Sequence, residues 1–306
     1  RDYKVTGVQT CALPISSRRS RAVRRLVAPV AGIAAAVALA VTIGLPGTTD
    51  SAVAATPSLL HYAQVASTSK TEAQTLAREC LERQRNRRAA PASFTVRWTE
   101  WSLNTRVDGR LVTSAVVPVQ VSLSRRSDGS AELVRRTSAP QFPDRESRER
   151  WEDEGRPAAQ PRTVDQRRWA PGEVRQESAS LPDDPDRLLP VLSRSHPIDE
   201  LGDAEVLIAI ADTYRAAELS PSQQAALFAL AASRPGLQAY GRVTDRAGRK
   251  GFALSVESDH SGLPTRYTAI FDPATGRLLD LEQTLTKTAG RLNVPVPATI
   301  GYTVFE

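Results

Sequence analysis

The 306-residue sequence has no methionine, only three histidines and two cysteines, and 5% aromatic residues. So few histidines and cysteines exclude a multi-ligand zinc cluster built from these two residue types. A chain without methionine has no start-codon residue, so we expect the natural N-terminus to lie elsewhere. With 41% hydrophobic and 24% charged residues, the composition excludes a low-complexity polymer and suits one or two globular domains.

The first fifteen residues resemble translated sequencing adapter rather than protein. Val5 to Ile15 back-translate, codon by codon, into a common short-read adapter. We therefore treat residues 1–15 as an artefact, exclude them from fold reasoning, and expect natural sequence to begin near Ser16. Cys11 is removed with them, which leaves Cys80 as the only thiol and excludes an intrachain disulfide.

The net charge of +6 comes from the N-terminal end. Of the 40 basic and 34 acidic residues, seven basic and one acidic lie in residues 1–25, which leaves 33 of each in the remainder. Basic charge spread over a domain would indicate nucleic-acid binding. Concentrated beside an apolar stretch, it indicates membrane topology instead, and we expect no nucleic-acid partner.

An uncharged apolar run from Leu26 to Leu45 follows the basic residues. As a helix it would span roughly 30 Å, the thickness of the hydrocarbon core of a bilayer. The sequence therefore predicts a transmembrane helix over 26–45 with the lipid bilayer as its partner. Five arginines precede it and the first charge after it is Asp50, so the positive-inside rule places the basic stub 16–25 in the cytoplasm and the C-terminal domain outside.

A cleaved secretion signal is the alternative. Residues 52–54 form a small-x-small cleavage pattern, and cleavage near Ala54 would release the protein. The apolar run is longer than the 7–15 residues typical of a signal peptide, and the pattern lies nine residues beyond its end. These two features favour a retained anchor, which makes the protein a single-pass cell-membrane protein.

The outer region divides into a linker and one domain. Small and polar residues predict a linker over 46–57. We expect an extracytoplasmic α+β domain over 58–306, in which 58–90 forms a juxtamembrane helical part.

After Pro91 the apolar residues no longer recur at helical spacing but at every second position, which predicts strands. We expect strands at 94–99, 111–123 and 131–137, and five more at 237–244, 251–258, 265–271, 277–286 and 299–305.

Helices are predicted between these two groups of strands. Short ones are expected at Arg145 to Glu154, stopped by Gly155, and at Pro185 to Leu192. A longer one carries Val206 to Tyr214 at helical spacing, and the next opens at Ser220 with a capping box. Strands, then helices, then hairpin-linked strands favour an α+β fold, with an antiparallel sheet covered by helices, over a βαβ fold. At the level of fold this looks like lipoprotein-carrier and sigma-regulator sensor domains.

The sequence contains no recognisable catalytic motif. His61, His196 and His260 are scattered, and none lies in a nucleophile, metal or phosphate-binding motif. We expect all three to be solvent-exposed. The sequence therefore predicts no catalytic, cofactor-binding or metal-binding residue, no cofactor and no enzyme activity.

Three further features have structural explanations. Asp183, Asp184 and Asp186 precede or open a predicted helix, where acids suit the helix dipole. Cys80 lies beside arginines that could lower its pKa, but a buried spectator thiol is the favoured interpretation. For Trp151, packing is favoured over a binding role.

Five segments occur in an order that resembles a family. They are SLPDDPDRLL (180–189), SPSQQAALFALAASRPG (220–236), YGRVTDRAGRKG (240–251), FDPATGRLL (271–279) and TIGYTVF (299–305). Over residues 93–306 the chain resembles an uncharacterised family of actinobacterial single-pass membrane proteins, often encoded near extracytoplasmic-function sigma factors. The resemblance implies a missing cytoplasmic portion and carries over no catalytic residue.

We hypothesise a membrane-anchored extracytoplasmic domain that binds or senses a protein partner or an apolar ligand, with a link to sigma-factor signalling. Two alternatives remain: a secreted enzyme such as a hydrolase, and a structural envelope protein. The hydrolase requires polar groups that converge on His196 or His260, with a carboxylate in hydrogen-bond reach.

Overall fold

The structure is a computed structural model that describes residues 54–61, 70–85, 93–103, 115–153, 162–173, 181–290, 292 and 294–306. Within these ranges every helix is too short or too polar to cross a bilayer. The adapter-like residues 1–15, the basic stub 16–25 and the apolar run 26–45 lie outside the described residues.

The described residues form six helices and nine strands in an α+β arrangement. The helices are α1 (Lys70–Gln84), α2 (Arg145–Asp153), α3 (Pro185–Leu192), α4 (Ile198–Leu201), α5 (Asp203–Ala216) and α6 (Pro221–Ser233). The strands are β1 (Phe94–Ser102), β2 (Val119–Arg125), β3 (Ala131–Thr137), β4 (Thr163–Trp169), β5 (Gln238–Thr244), β6 (Lys250–Ser258), β7 (Thr265–Phe271), β8 (Leu278–Leu285) and β9 (Ala298–Phe305).

All nine strands belong to one antiparallel sheet of order β4-β3-β2-β1-β9-β8-β7-β6-β5. The N-terminal strands form one half and the C-terminal hairpins the other. Strand β9 lies in the middle, between β1 and β8. The sheet therefore becomes continuous only when β9 pairs on both sides.

One face of the sheet, the helix face, carries the main core. Helix α5 contacts β1, β6, β7 and β8, and α6 stacks Phe228 on Phe271 with ring centroids 5.0 Å apart. Helix α1 packs on α6 through its buried small residues Ala73, Ala77 and Cys80. Because large apolar side chains fill the space between helices and sheet, this face is a solid core.

The opposite face, the outer face, is partly covered by residues 54–61, which we call the strap. Ala55 packs with Trp101, Val116, Tyr302 and Val304. Leu60 packs on a second apolar cluster built from β5, β6, β7 and β8. The strap therefore crosses several strands instead of extending the sheet.

Local sequence signals explain where the central helices begin. The Ser220 hydroxyl accepts from the Gln223 backbone N–H, and the Gln223 side chain accepts from the Ser220 N–H, which confirms the predicted capping box. Asp184 caps α3 by accepting from the Asp186 N–H at 3.1 Å. Each cap satisfies backbone donors that the first turn of a helix cannot pair internally.

The predicted α+β class and most predicted elements are confirmed. The five C-terminal strands and the helix over 185–192 agree with the prediction to within one residue. The strand predicted over 111–123 is wrong in its first part: of residues 115–118 only Val116 pairs, in an isolated bridge to Gln141, and β2 begins at Val119, after Pro118. Residues 111–114 and Gly155 lie outside the described residues, so the stop of one helix stays a prediction.

Residues 54–61 differ from the linker and helical part that the sequence predicts. Residues 58–61 are not helical, and Ala54 and Ala55, expected in a linker, are each 3% exposed. The reason is that the outer face of the sheet offers these residues an apolar surface, which a helical period cannot reveal in the sequence.

Strand β4 lies outside the predicted elements. Its side chains are mostly polar and exposed on both sides, so they show no hydrophobic alternation. It forms because its backbone pairs with β3 and because Trp169 packs against the core. An edge strand stabilised mainly by backbone hydrogen bonds leaves little signal in a sequence.

The turn between β7 and β8 requires a glycine at position 276, and a substitution can test this requirement. Its φ is +76°, and a Cβ atom there would lie 2.6 Å from the Cα of Ala225 in α6. We expect Gly276→Ala to lower the free energy of unfolding by about 2–4 kcal/mol, from backbone strain and steric overlap together. Urea denaturation measures this.

Gly248 provides the matched control. Its φ is +80°, but a Cβ there would meet no atom within 4 Å. Gly248→Ala should therefore cost about 1–2 kcal/mol, from strain alone. Equal losses for the two variants would show that the approach of this turn to α6 is unimportant.

Candidate functional site

A cluster of buried charged groups lies on the outer face beneath the strap. We call Arg246, Asp280, Glu282 and Tyr302 the outer-face cluster. Both Nε and Nη2 of Arg246 donate to the Glu282 carboxylate, at 2.5 and 2.8 Å. The guanidinium also lies 4.6 Å from the centroid of the Tyr302 ring. A two-point contact of this kind fixes the orientation of the arginine side chain.

Strand alternation and one turn bring these groups together. Asp280 and Glu282 are two residues apart on β8, and their cross-strand partners are Val304 and Tyr302. Arg246 follows β5 in a tight turn, in which Asp245 accepts from the backbone N–H groups of residues 247 and 249. The turn therefore holds the arginine over the face of a neighbouring hairpin.

Arg246 also reaches the strap and β9. Its Nη2 donates to the Ser58 carbonyl at 3.0 Å and to the Thr299 hydroxyl at 3.3 Å. The same guanidinium therefore contacts a buried acid on β8, a hydroxyl on β9 and the main chain of the strap.

The buried carboxyls resist ionisation. Asp280 is 0% exposed and Glu282 1% exposed. Burial, followed by the charge of Glu282, raises the pKa of Asp280 well above its usual range. Burial also raises the pKa of Glu282, although Arg246 opposes this effect. Asp280 Oδ1 accepts no hydrogen bond from the described residues. Of the two carboxyls, Asp280 is therefore the one that more favours its neutral form.

A second cluster lies on the helix face, where it joins α5 to the turn after α3. We call His196, Glu205, Asp212 and Arg215 the helix-face cluster. His196 Nδ1 lies 2.8 Å from Glu205 Oε1, and Nε2 lies 3.9 Å from Asp212 Oδ2. Arg215 Nη1 donates to Asp212 at 2.5 Å, and Nη2 donates to the Thr303 hydroxyl of β9 at 2.6 Å. The cluster therefore also links the helical layer to the sheet.

The charges of the helix-face cluster compensate one another when His196 is protonated. The hydrogen bond to Glu205 raises the pKa of His196 against the effect of its burial. Burial raises the pKa of Asp212 despite the neighbouring Arg215. A histidine oriented by a carboxylate can accept and return a proton, which is one part of a hydrolytic site.

The three histidines have different surroundings. His61 and His260 are exposed, which confirms the prediction for these two. The prediction of exposure is wrong for His196, whose side chain is 16% exposed. Its place after Leu192 brings it against the first turn of α5, and no pattern in the sequence indicates that Glu205 faces it.

Cys80 and Trp151 both have packing roles. Cys80 is a free, buried thiol, and its Sγ lies 3.7 Å from the Ala274 carbonyl. Burial raises the pKa of Cys80 to about 11, which outweighs the opposite effect of Arg83. Trp151 is buried and meets Phe142 edge-to-face at 6.0 Å between ring centroids.

Sequence reasoning missed the outer-face cluster. The sequence contained one usable signal, the pair of acids at alternating positions among the leucines of β8. A buried acid requires a cation or a proton nearby. The identity of the cation was not readable, since Arg246 comes from a different hairpin.

A shallow groove lies between α1, α3 and α6. Its volume is about 290 Å³, and Ala77, Leu81 and Ala232 line its floor, with Arg78 and Asp186 also lining it. It combines a small apolar surface with two opposite charges. In the described part of the chain, His, Cys, Asp and Glu side chains do not form a group of three or more that could hold a metal ion.

Comparison with known proteins gives no relative. No protein-family model, no curated protein and no solved structure matches this chain.

The outer-face cluster predicts an unusual pH dependence of stability. Because the folded-state pKa of Asp280 lies above its unfolded value, its contribution to stability is complete below about pH 4 and is lost as the pH rises through the folded pKa. We expect Asp280→Asn to match the parent near pH 4 and to exceed its stability at pH 7.5 by about 1–3 kcal/mol. Urea denaturation across this range measures the difference.

Asp128→Asn is the control for this prediction, because Asp128 is exposed and hydrogen bonds from Ser130 lower its pKa. It should leave the decline toward neutral pH unchanged. An Asp280→Asn variant that is less stable than the parent at pH 7.5 would show that the ionised carboxylate is favourable there.

Proposed function

We propose that the chain is a membrane-anchored extracytoplasmic domain that binds or senses a partner. The observation that carries this proposal is the strap. Ala54 and Ala55 are buried against the outer face only nine and ten residues after the end of the apolar run 26–45. The segment that leaves the proposed membrane helix is therefore part of the folded domain.

Chain length keeps this domain close to the bilayer. Eight residues separate Leu45 from Ala54, and an extended chain covers at most about 3.6 Å per residue, so they span about 30 Å or less. In the proposed arrangement the N-terminal end of the strap, on the outer face of the sheet, stays within that distance of the membrane surface.

Burial of the strap favours a retained anchor over cleavage. A cut after Ala54 would create a charged α-amino group on Ala55. That residue is 3% exposed and packs with Trp101, Tyr302 and Val304. Placing a charge among such groups costs several kcal/mol after relaxation. The fold therefore supports the interpretation that residues 26–45 remain attached.

The chain continues from the strap to the other side of the domain. Lys70 Nζ, at the start of α1, donates to the Arg234 carbonyl at 2.7 Å, and Gln84, at its end, donates to the Ala274 carbonyl at 3.1 Å. The described parts of this segment therefore contact the outer face through the strap and the helical layer through α1. Such a segment is suited to carry a change in the domain toward the membrane.

The filled core favours a protein partner over an apolar ligand. Phe228, Phe252 and Phe271 are each 0% exposed in the space between helices and sheet. A carrier of apolar ligands needs an open cavity there. The sequence resembles proteins encoded near extracytoplasmic-function sigma factors. On this ground we propose that binding of the partner is signalled to such a factor.

Topology mapping tests this function. We expect the full chain with a C-terminal tag to remain in the membrane fraction, and protease added outside spheroplasts to remove the tag. A matched Val37→Arg/Leu39→Arg variant places two arginines in the apolar run, each costing about 2.5–3.5 kcal/mol on insertion, and should leave the membrane fraction. A tag that the parent protects inside the cell, or releases into the medium, would contradict the proposal.

A second candidate function, an extracytoplasmic hydrolase, is favoured by the 2.8 Å contact between His196 and Glu205. This arrangement orients a histidine as general acid or base. If the chain is a hydrolase, turnover of a panel of chromogenic esters should fall at least 100-fold in His196→Gln, from the loss of general acid–base catalysis. It should persist in His260→Gln, because His260 is exposed. Turnover that survives in His196→Gln, or is missing from the parent, argues against this function.

A further inference from the structure

The strap has few attachments to the domain compared with the strands it covers. It buries two alanines, its Leu60 is half-buried, and Leu59 and His61 point into solvent. Of the strands below it, β7 and β8 are paired with neighbours on both sides. Segments with few buried apolar contacts open at lower free energy than the core.

Arg246 joins the strap to the sheet at one point. Its Nη2 donates to the Ser58 carbonyl at 3.0 Å, while its other contacts hold it on Glu282 and over Tyr302. The arginine is therefore held by the sheet even without the strap. A hydrogen bond from a prearranged charged donor is among the stronger bonds in a protein.

Opening the strap would uncover an apolar surface and leave the sheet paired. Trp101 stacks on Tyr302 with ring centroids 6.1 Å apart, and both belong to the cluster that Ala55 covers. Their cross-strand pairing does not involve the strap. The strap can therefore leave without breaking a strand.

We propose that residues 54–61 are a releasable strap, latched by Arg246, whose opening exposes the Trp101–Tyr302 surface. This inference rests on the proposed function, because attachment to the apolar run 26–45 would place the strap where a pull on the anchor acts first. The closed strap conceals an apolar patch that opening uncovers.

Thiol accessibility tests the latch. Ala55→Cys places a thiol on the buried side of the strap, Ala269→Cys places one in β7 at a helix-face residue that is 0% exposed and away from the strap, and Leu59→Cys gives an accessible reference at 38% exposure. All are made in the full chain carrying Cys11→Ser, where the remaining native thiol, Cys80, is buried. The rate of maleimide modification is measured in detergent for each.

We expect Arg246→Gln to raise the modification rate at position 55 about tenfold or more. This is the change in opening equilibrium expected when one hydrogen bond to a charged group is lost. The rate at position 269 should stay the same, because the strap does not cover the helix face. Arg246→Lys, which keeps the charge but loses the two-point contact, should give an intermediate rate and serves as the second variant if Arg246→Gln does not fold.

Two results would overturn the latch. One is an unchanged rate at position 55 in both Arg246 variants. The other is a parallel rise at positions 55 and 269, which would show that the strap opens only when the sheet unfolds. These rates do not depend on which side of a bilayer the domain faces. A failed latch is therefore distinguishable from a failed membrane topology, which fractionation decides.

Discussion

The guanidinium of Arg246 offsets the burial of carboxyl groups in the middle of the outer face. Two acids on one strand, both almost without solvent contact, would repel each other and oppose folding if left alone. The arginine compensates Glu282 directly, while Asp280 favours its neutral form. Through its contacts with Ser58, Glu282 and Thr299, this one side chain joins the β5–β6 turn to the strap, to β8 and to β9.

Regular elements were predictable where side-chain pattern and turn chemistry agree. The capping box at Ser220 marks the start of α6, and the turn ending at Gly276 separates two paired strands. Here hydrophobic period, cap and glycine point to the same answer. Strand β4 shows no hydrophobic alternation. It forms through backbone pairing with β3, which the side-chain pattern does not encode.

The candidate sites were harder to predict because they join residues from separate elements. His196 and Glu205 are near in sequence, but only the turn after α3 makes them face each other. Arg246 and Glu282 come from different hairpins. Composition and spacing identify groups that can carry a proton or a charge, but tertiary packing decides which of them meet.

The central position of β9 has a consequence for the order in which the protein can mature. Strand β1 pairs early with β2, but its second neighbour, β9, follows only after about two hundred intervening residues, and such distant pairings slow folding. If the chain is threaded through a membrane from its N-terminal side, the two halves of the sheet wait unjoined until the final strand emerges. A chain that lacks β9 would leave two separate hairpin assemblies, each with an exposed edge open to misassembly.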